Sequence, residues 1–280
     1  MILATFQQLG AGVEVLHFDR DLWDGGPPVR SVPPVPCVGR QPILLHPMPL
    51  KTLLSWSTGK DSAWALQQLR QDPHVELTGL FCTVNAAFQR VAMHGVRLEL
   101  LRRQAASLGL PLRVIDLPHP CSNADYEAAM QSFVGQARAD GVEAFAFGDL
   151  FLEDVRRYRE RQLHGSGVVP LFPLWGMPTG ELSRAMITGG LHAVITCVDP
   201  RRLPREFAGR RYDAAFLAEL PQGVDPCGEF GEFHSFACDG PMFASPVGLR
   251  VGDTVERDGF VFTDWLAADD TALSASPSYP

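Results

Sequence analysis

Strand and helix signals alternate along most of this 280-residue chain, and this alternation restricts the fold more than any other feature. Short apolar runs typical of buried strands are separated by longer stretches typical of helices. The predicted strands cover residues 52–56, 75–84, 112–117, 143–147, 168–172 and 193–198. Because parallel strands need helical crossovers, we predict an α/β fold: a doubly wound, mostly parallel, Rossmann-like sheet with helices on both faces.

The predicted helices fill the gaps between these strands, and several have recognisable ends. They cover about residues 60–70, 96–108, 122–141, 153–163 and 179–190. Gly109 is a typical C-terminal glycine, and Ser122 with Asp125 three residues later forms a capping pattern. Thr179 is the predicted N-cap of the last of these helices.

The chain divides into four regions. Residues 1–47 are rich in proline and are predicted to be a loose, disordered extension. Met48 lies just before the first strand, and either the protein begins there or a genuine disordered tail precedes it; the sequence leaves both open. Residues 48–198 form the doubly wound domain. Residues 199–265 form a small C-terminal α+β substrate region, in which Asp258-Gly259 predicts a hairpin, and residues 266–280 are a disordered tail.

Composition excludes several classes of protein. The chain has 24 Lys and Arg against 32 Asp and Glu, a net charge of -8, so it is a poor general partner for nucleic acid or an anionic membrane. It has no apolar run of the roughly 18 to 20 residues that a membrane helix needs, and no signal-peptide pattern. The six cysteines include no C-x-x-C pair, which argues against a disulfide scaffold or a thiolate metal site. We therefore expect a cytoplasmic enzyme.

Residues 57–62, Ser-Thr-Gly-Lys-Asp-Ser, lie between the first strand and the first helix. In a doubly wound sheet this position is a ligand crevice. A glycine permits close approach of the backbone, hydroxyls and free helix amides donate hydrogen bonds, and a lysine adds positive charge, so the segment suits a polyphosphate. It is not a Walker loop, because Leu54 and Asp61 stand where that loop needs Gly and Ser or Thr, and no G-x-G-x-x-G is present.

The Ser-x-Gly-Lys-Asp-Ser pattern resembles the PP-loop of ATP pyrophosphatases, which cleave ATP between its α and β phosphates and adenylate a substrate oxygen. The resemblance implies Mg²⁺, with Asp61 as its candidate ligand, and places the adenine against the backbone near Thr83, at the end of the second strand. Lys51 and Lys60 are the only lysines in the chain, which favours a specific role for Lys60. For residues 57–62 the alternative is a well-capped helix after a glycine turn. For the strand end near Thr83 the alternative is a plain core strand. The implied ATP-binding residues are Ser57, Thr58, Gly59, Lys60, Asp61 and Ser62.

A second segment, residues 225–243, reads Asp-Pro-Cys-Gly-Glu-Phe-Gly-Glu-Phe-His-Ser-Phe-Ala-Cys-Asp-Gly-Pro-Met-Phe. Together with the PP-loop it resembles the diphthine–ammonia ligase family over about residues 50–245. That family adenylates the diphthine carboxylate with ATP, and ammonia then displaces AMP to give an amide. The resemblance adds His94, Gly148 and Asp149 as candidate cofactor-binding residues. It implies that the partners are ATP, ammonia or ammonium, and a carboxylate-bearing small molecule or protein side chain.

The candidate catalytic residues are Lys60 and Asp61 in the PP-loop and Glu229 and Glu232 in the second segment. In a regular strand, Glu232 and His234 would share one face and Glu229 would lie on the other. Carboxylates and an imidazole at a sheet end could orient ammonia, accept its proton or steer a cationic substrate. For Glu232 and His234 the alternative is a solvated strand face.

The helix after the fourth strand departs from the family. Eukaryotic and archaeal members carry a Ser-x-Tyr-Gln-x-x-Arg run there, whereas residues 152–160 of this chain read Leu-Glu-Asp-Val-Arg-Arg-Tyr-Arg-Glu. If this helix lines the site, Arg156, Tyr158 and Arg159 would recognise a carboxylate other than diphthine. The alternative is a charged face turned to solvent.

Two other functions stay open. One is a PP-loop tRNA-modifying enzyme of the thiolation or lysidine type, against which the net charge and the absence of C-x-x-C count. The other is a non-catalytic adenine-nucleotide-binding protein, against which the absence of a late Gly-rich phosphate loop counts. The sequence defines neither the acceptor nor the oligomeric state, for which a homodimer is one option.

Overall fold

The computed structural model describes residues 4–5, 17–18, 48–92 and 95–268. Ala4–Thr5 and His17–Phe18 pair as a separate two-stranded unit, and the remaining strands form two larger sheets. Most of the predicted N-terminal extension, residues 269–280 of the predicted 266–280 tail and the candidate residue His94 lie outside the described residues. The first two residues of the predicted tail instead belong to a strand that ends at Ala267.

The first sheet is mostly parallel. Its strands are β1 Leu50–Ser55, β2 Val75–Asn85, β3 Arg90–Val91, β4 Leu112–Leu117, β5 Ala144–Ala146 and β6 Val169–Leu171. The parallel strands are ordered β4-β2-β1-β5-β6, and the short β3 pairs antiparallel with the end of β2. Because the order runs outwards from β1 in both directions, this is the doubly wound arrangement, and the predicted fold class is confirmed.

Five helices of ten or more residues connect these strands and lead to the second sheet. They are α1 Lys60–Leu69, α2 Leu98–Leu108, α3 Asn123–Ala139, α4 Glu153–Leu163 and α5 Thr179–Thr188. Gly109 ends α2 with φ +66°, and Ser122 with Asp125 forms the predicted capping box at the start of α3. The prediction for Thr179 is wrong: Pro178 is the N-cap, and the Thr179 hydroxyl instead donates to the Asp225 carboxylate at 2.7 Å.

The second sheet is antiparallel and contains a strand that was predicted for the first. Its strands are β7 His192–Val198, β8 Phe233–Asp239, β9 Leu249–Arg257 and β10 Phe260–Ala267, in the order β8-β7-β10-β9. The prediction that residues 193–198 extend the parallel sheet is therefore wrong. A central strand covered on both faces reads as a continuous apolar run whichever way its neighbours point, so the sequence pattern could not distinguish the two sheets.

Turns set the ends of the strands in this second sheet. Asp258 and Gly259, with φ of +51° and +76°, form the predicted tight hairpin between β9 and β10. Strand β8 begins at Phe233 and not near residue 230 as predicted, because Gly228 and Gly231 adopt φ of +72° and +80° and keep the chain in turns. A 3₁₀ turn, Arg205–Phe207, and helix α6, Ala214–Glu219, connect β7 to this region.

Alternate residues of the buried strands face two apolar clusters. Leu53 belongs to a cluster that contains Phe81, whereas its neighbour Leu54 belongs to the other cluster. The cluster around Leu54 continues through Ile195 and Phe236, so the two sheets share a core that joins the loop after β1 to strand β8. Within the described ranges, no helix combines the length and apolar character needed to cross a membrane.

Candidate active site

The candidate site lies where the order of the parallel strands reverses. Strand β1 has β2 on one side and β5 on the other. The crossovers that leave β1 and β5 begin at the carboxyl ends of those two strands. In doubly wound sheets this edge forms the ligand crevice. Residues 57–62 follow β1, and Gly148 and Asp149 follow β5, so the topology brings the two predicted segments together.

The loop of residues 57–62, called the phosphate loop below, is closed by its own hydroxyls. The Ser57 and Ser62 hydroxyls lie 3.2 Å apart, and the Ser62 hydroxyl donates to the Gly59 carbonyl at 2.9 Å. Gly59 is the N-cap of α1 and has no side chain to cap it, while the Lys60 amide in the first turn donates to the Ser235 hydroxyl at 3.2 Å. A helix N-terminus carries partial positive charge, so it favours an anion.

Thr58 has an unusual backbone conformation within this loop. Its φ is +72°, in the left-handed region that glycine tolerates and a β-branched residue does not. Such a conformation costs about 1–3 kcal/mol and persists only where surrounding contacts hold it. Its hydroxyl is buried and has no hydrogen-bond partner among the described residues. The loop therefore holds a strained residue whose polar group is buried without a partner among the described residues.

Lys60 lies inside the protein, with only 2% of its side chain exposed. Its ammonium donates to the Asp61 carboxylate oxygens at 3.0 and 2.8 Å and to the Cys227 carbonyl, and it lies over the rings of Tyr212 and Phe233. Burial is the largest single influence and lowers the pKa of Lys60, but the electrostatic interactions with Asp61, Cys227 and Glu229 together hold that pKa above its ordinary value. All three ammonium hydrogens have acceptors, so Lys60 ties the phosphate loop to the second segment.

Two carboxylates shape the turn that precedes β8. Asp225 accepts hydrogen bonds from the amides of Cys227, at 2.8 Å, and Glu229, at 3.3 Å. Glu232 is fully buried and accepts from the amides of Asp225 and Phe230, at 3.2 and 2.9 Å. The alternative of a solvated face is wrong for Glu232, because its oxygens are engaged inside the turn. The strand alternation that predicted its direction does not apply before β8 begins.

Glu229 occupies the tip of this turn, next to the residues that follow β5. Its carboxylate accepts a hydrogen bond from the Leu150 amide at 3.2 Å. Burial, together with the negative charges of Asp61 and Asp149, raises the pKa of Glu229 to about 8. A carboxyl group that titrates near neutral pH in a cleft is typical of an acid or base in catalysis. The structure thus brings Glu229 beside the phosphate loop.

Gly148 and Asp149 also lie beside the phosphate loop. A methyl group at Gly148 would lie 3.1 Å from backbone atoms of Asp61 and Ser62, so the glycine permits close packing of β5 against α1. Burial raises the pKa of Asp149, and the Arg159 guanidinium 3.7 Å away opposes that shift. Arg159 brings α4 into contact with this side of the site.

Helix α4 does not present all three of its predicted residues to the site. Arg159 lies over the Phe147 ring at 4.8 Å and is mostly buried, which rules out a fully solvent-facing helix. Arg156 instead lies over Phe172 and Trp175, at 5.0 and 4.7 Å, farther along the sheet. Burial raises the pKa of Tyr158 to about 12, so its hydroxyl stays neutral.

Several further candidates have defined surroundings. Burial, with Lys60 nearby, lowers the pKa of His234 to about 4, so its imidazole is neutral near pH 7. The Thr83 carbonyl accepts a hydrogen bond from the Ala92 amide at 3.0 Å, so it takes part in closing the loop after β2. Burial raises the pKa of Cys227 to about 12 and that of Cys238 to about 11, which leaves neither as a thiolate nucleophile.

Gln104, a fully buried amide beside the phosphate loop, is not among the residues predicted from the sequence. It donates to the carbonyls of Thr58 and Ala237 and accepts from the Trp56 indole. A signal for it was present: Gln104 lies three residues after Leu101 and four before Leu108, on the apolar face of α2. A polar residue on such a face needs a buried partner.

Comparison with known proteins gives matches over most of the chain. Residues 50–170 match the diphthamide synthase N-terminal domain, and residues 179–261 match the diphthamide synthase C-terminal domain. The diphthine–ammonia ligase of Homo sapiens is 27% identical over 230 residues, which cover 74% of this chain and 85% of the human protein. The diphthine–ammonia ligase of Danio rerio is 32% identical over 126 residues, or 43% of this chain and 48% of that protein. The protein of the same name from Bos taurus is 30% identical over 127 residues, which cover 43% of this chain and 47% of the bovine protein.

Proposed function

This chain belongs to the diphthamide synthase family, and we propose that it uses ATP to adenylate a carboxylate, which ammonia then converts into an amide. It is an ATP-dependent ligase of this family. The release of AMP and pyrophosphate and the roles of single residues belong to the proposal. The proposal is supported chiefly by the phosphate loop, which opens helix α1 at the reversal of strand order. This loop contacts both Gly148 and the turn that bears Glu229.

The phosphate loop supports binding of ATP through its backbone and hydroxyls. The Lys60 amide already donates to Ser235, at 3.2 Å, so we propose that the amides of Asp61 and Ser62 and the hydroxyl of Ser57 meet the phosphates. In the first step, a carboxylate oxygen of the acceptor attacks the α phosphorus. The bond from that phosphorus to the bridging oxygen of the β phosphate breaks, and pyrophosphate leaves.

Lys60 supplies positive charge close to where negative charge develops on pyrophosphate. Because its three hydrogens have acceptors, it reaches a phosphate only by exchanging the Asp61 carboxylate or the Cys227 carbonyl for a phosphate oxygen. We propose that this exchange accompanies binding of ATP. The fixed positive potential would then favour departure of the leaving group, which is the usual catalytic use of such a cation.

Glu229 supports the ammonia step. The Asp61 and Asp149 carboxylates beside it attract ammonium, and a carboxyl group with a pKa of about 8 is a stronger base than an ordinary carboxylate and accepts a proton in its ionised form, which predominates above about pH 8. In this step the nitrogen of ammonia attacks the acyl carbon, the bond from that carbon to the AMP oxygen breaks, and Glu229 takes the proton that nitrogen loses. Glu232 would act by holding the turn, since its oxygens are engaged by backbone amides.

Mg²⁺ fits the described residues only in part. Asp61 stays its candidate ligand, but both Asp61 oxygens accept hydrogen bonds from Lys60. Among residues 48–92 and 95–268, no group of three or more His, Cys, Asp or Glu side chains is arranged to hold a metal. We therefore propose that Mg²⁺ enters with the phosphates of ATP, and no step above depends on a contact between the metal and the protein.

Arg159 is the residue of α4 that we propose as a contact for the acceptor carboxylate. Its guanidinium lies 3.7 Å from Asp149 and over the Phe147 ring at 4.8 Å. The acceptor would be a small molecule or a protein side chain. The departure of this helix from eukaryotic and archaeal members favours a carboxylate other than that of diphthine.

The test is a screen of carboxylates with ATP and ammonium, in which AMP is measured. The proposal expects AMP release that depends on both the acceptor and ammonium, and an Arg159→Met variant that needs a higher acceptor concentration for the same rate. Arg157→Met is the matched control, because Arg157 is 60% exposed and pairs with Asp154 on the outer side of the same helix. ATP consumption that yields ADP would refute the adenylation route.

The same preparation distinguishes the two other functions. A tRNA-modifying enzyme would be retained on tRNA or heparin with strong dependence on salt. A non-catalytic nucleotide-binding protein would keep ATP intact and release neither AMP nor pyrophosphate. We propose a cytoplasmic enzyme that passes through the heparin column and releases both products.

A further inference from the structure

A single buried amide joins the phosphate loop to the second sheet. Gln104 on α2 donates one hydrogen of its Nε2 to the Thr58 carbonyl, at 3.0 Å, and the other to the Ala237 carbonyl, at 2.6 Å. Its Oε1 accepts from the Trp56 indole at 2.8 Å. None of the Gln104 side chain is exposed. The indole therefore fixes which way the amide points, and both donors are used on backbone carbonyls.

The Thr58 carbonyl is also bound from the second sheet. The amide of Ala237, in β8, donates to it at 2.9 Å. Thr58 itself has φ +72°, a conformation that a threonine does not adopt without support. The peptide that follows this strained residue is thus held by two donors, one from α2 and one from β8, immediately before the N-terminus of α1.

We propose that Gln104 is a positioning residue, which holds Thr58 in the left-handed conformation and so keeps the phosphate loop open to ATP. This inference rests on the proposed function, because it assumes that the loop binds phosphates. A residue that only fills the core would need no amide, whereas the Gln104 amide bonds the Trp56 indole and the carbonyls of Thr58 and Ala237. Because both Nε2 hydrogens of Gln104 are donated to the Thr58 and Ala237 carbonyls, the side chain is suited to positioning the loop and not only to filling the core.

The two roles make different predictions for a double variant. If Gln104 acts by holding Thr58 at positive φ, then glycine at position 58, which adopts that conformation without strain, removes the need for Gln104. If Gln104 only stabilises the core, then a glycine at position 58 cannot compensate for its loss. The effects of the two substitutions would then add.

The experiment measures binding of Mg·ATP by calorimetry to the full chain and to three variants. Gln104→Met should weaken binding tenfold or more relative to the unsubstituted protein, whereas Thr58→Gly, which also loses the Thr58 hydroxyl, serves as the reference for the double variant. The double variant, Thr58→Gly with Gln104→Met, should bind within about threefold of Thr58→Gly alone. A double variant that binds ATP tenfold or more weakly than Thr58→Gly, or an undiminished affinity in Gln104→Met, would overturn the proposal.

Two further variants keep the test decisive. If Gln104→Met does not fold, Trp56→Phe removes the indole donor that orients the amide, and it should weaken binding in the same direction and be rescued by Thr58→Gly. Absence of that rescue would also overturn the proposal. Thr263→Val is the matched control, since it removes a buried hydroxyl bonded to Thr254 in the β9–β10 hairpin and should lower stability without changing affinity. Failure of the unsubstituted protein to bind Mg·ATP would instead refute the proposed function, and this inference with it.

Discussion

The Lys60 ammonium donates hydrogen bonds to both oxygens of the Asp61 carboxylate, at 3.0 and 2.8 Å, although the two residues are neighbours in the chain. The third hydrogen reaches the Cys227 carbonyl in the turn before β8. The Lys60 side chain therefore connects the phosphate loop to the turn before the second sheet, although its positive charge would also attract a phosphate. Neither charge of this pair can be removed alone without leaving the other poorly compensated.

Replacing Lys60 with methionine should abolish AMP formation and also destabilise the fold. Breaking a fully buried pair costs about 3–5 kcal/mol, and we expect about 1–3 kcal/mol here because 27% of the Asp61 side chain is exposed. Denaturant unfolding measures the second effect. Lys51→Met is the control, since Lys51 is the other lysine and is exposed; we expect a change within about 0.5 kcal/mol. Unimpaired AMP release by Lys60→Met would defeat its assigned role.

Glu229 should make the free energy of unfolding fall as the pH rises from 4.5 to about 8. In that window the folded chain keeps the proton on Glu229 and the unfolded chain has lost it, so raising the pH favours unfolding. Glu229→Gln should remove this contribution and slow the ammonia-dependent step, while exchange of pyrophosphate into ATP continues. Unfolding curves over a series of pH values measure the first effect. An identical pH slope in Glu229→Gln would contradict the raised pKa.

Gly148→Ala should impair ATP binding and lower stability by about 1–3 kcal/mol, since the new methyl group would press on the backbone of Asp61 and Ser62 at 3.1 Å. Gly135→Ala is the matched control. Gly135 lies within α3, and a methyl group there meets nothing within 4 Å, so this variant should gain about 0.5–1 kcal/mol. Thermal unfolding and ATP titration measure both variants. Normal ATP affinity in Gly148→Ala would show that β5 need not approach the loop so closely.

Glu232→Gln should destabilise the protein by about 1–3 kcal/mol. The buried carboxylate accepts from two backbone amides, whereas a glutamine has one acceptor oxygen and would turn its NH₂ group towards the second donor. Glu256→Gln on the exposed strand β9 should be close to neutral. Chemical denaturation compares the two. Full stability with lost amide formation would instead indicate that Glu232 contacts substrate.

Much of the fold could be predicted because its signals are local. The capping box of Ser122 and Asp125 and the Asp258-Gly259 hairpin each depend on residues that are close in sequence. The phosphate loop could be predicted for the same reason, since it follows one strand and opens one helix. Local backbone chemistry decides these features before distant parts of the chain meet.

The errors share a different origin. Residues 193–198 carry the apolar pattern of a buried strand, but the sheet that they join depends on β8 and β10, which come later in the chain. Thr179 could cap its own helix, yet its hydroxyl bonds Asp225, 46 residues away. Glu232 is a charged residue of a type usually found at the surface, but it is buried because the turn that precedes β8 folds around its carboxylate.

The sequence alone determined the doubly wound fold and the position of the phosphate loop, because periodic apolar residues and short turn motifs act over a few residues. Only the tertiary structure decided how that loop is held: Lys60 against Asp61 and Cys227, and Thr58 between Gln104 and Ala237. Those contacts join residues far apart in the chain, and buried polar groups find their partners only when the two sheets close on a shared core.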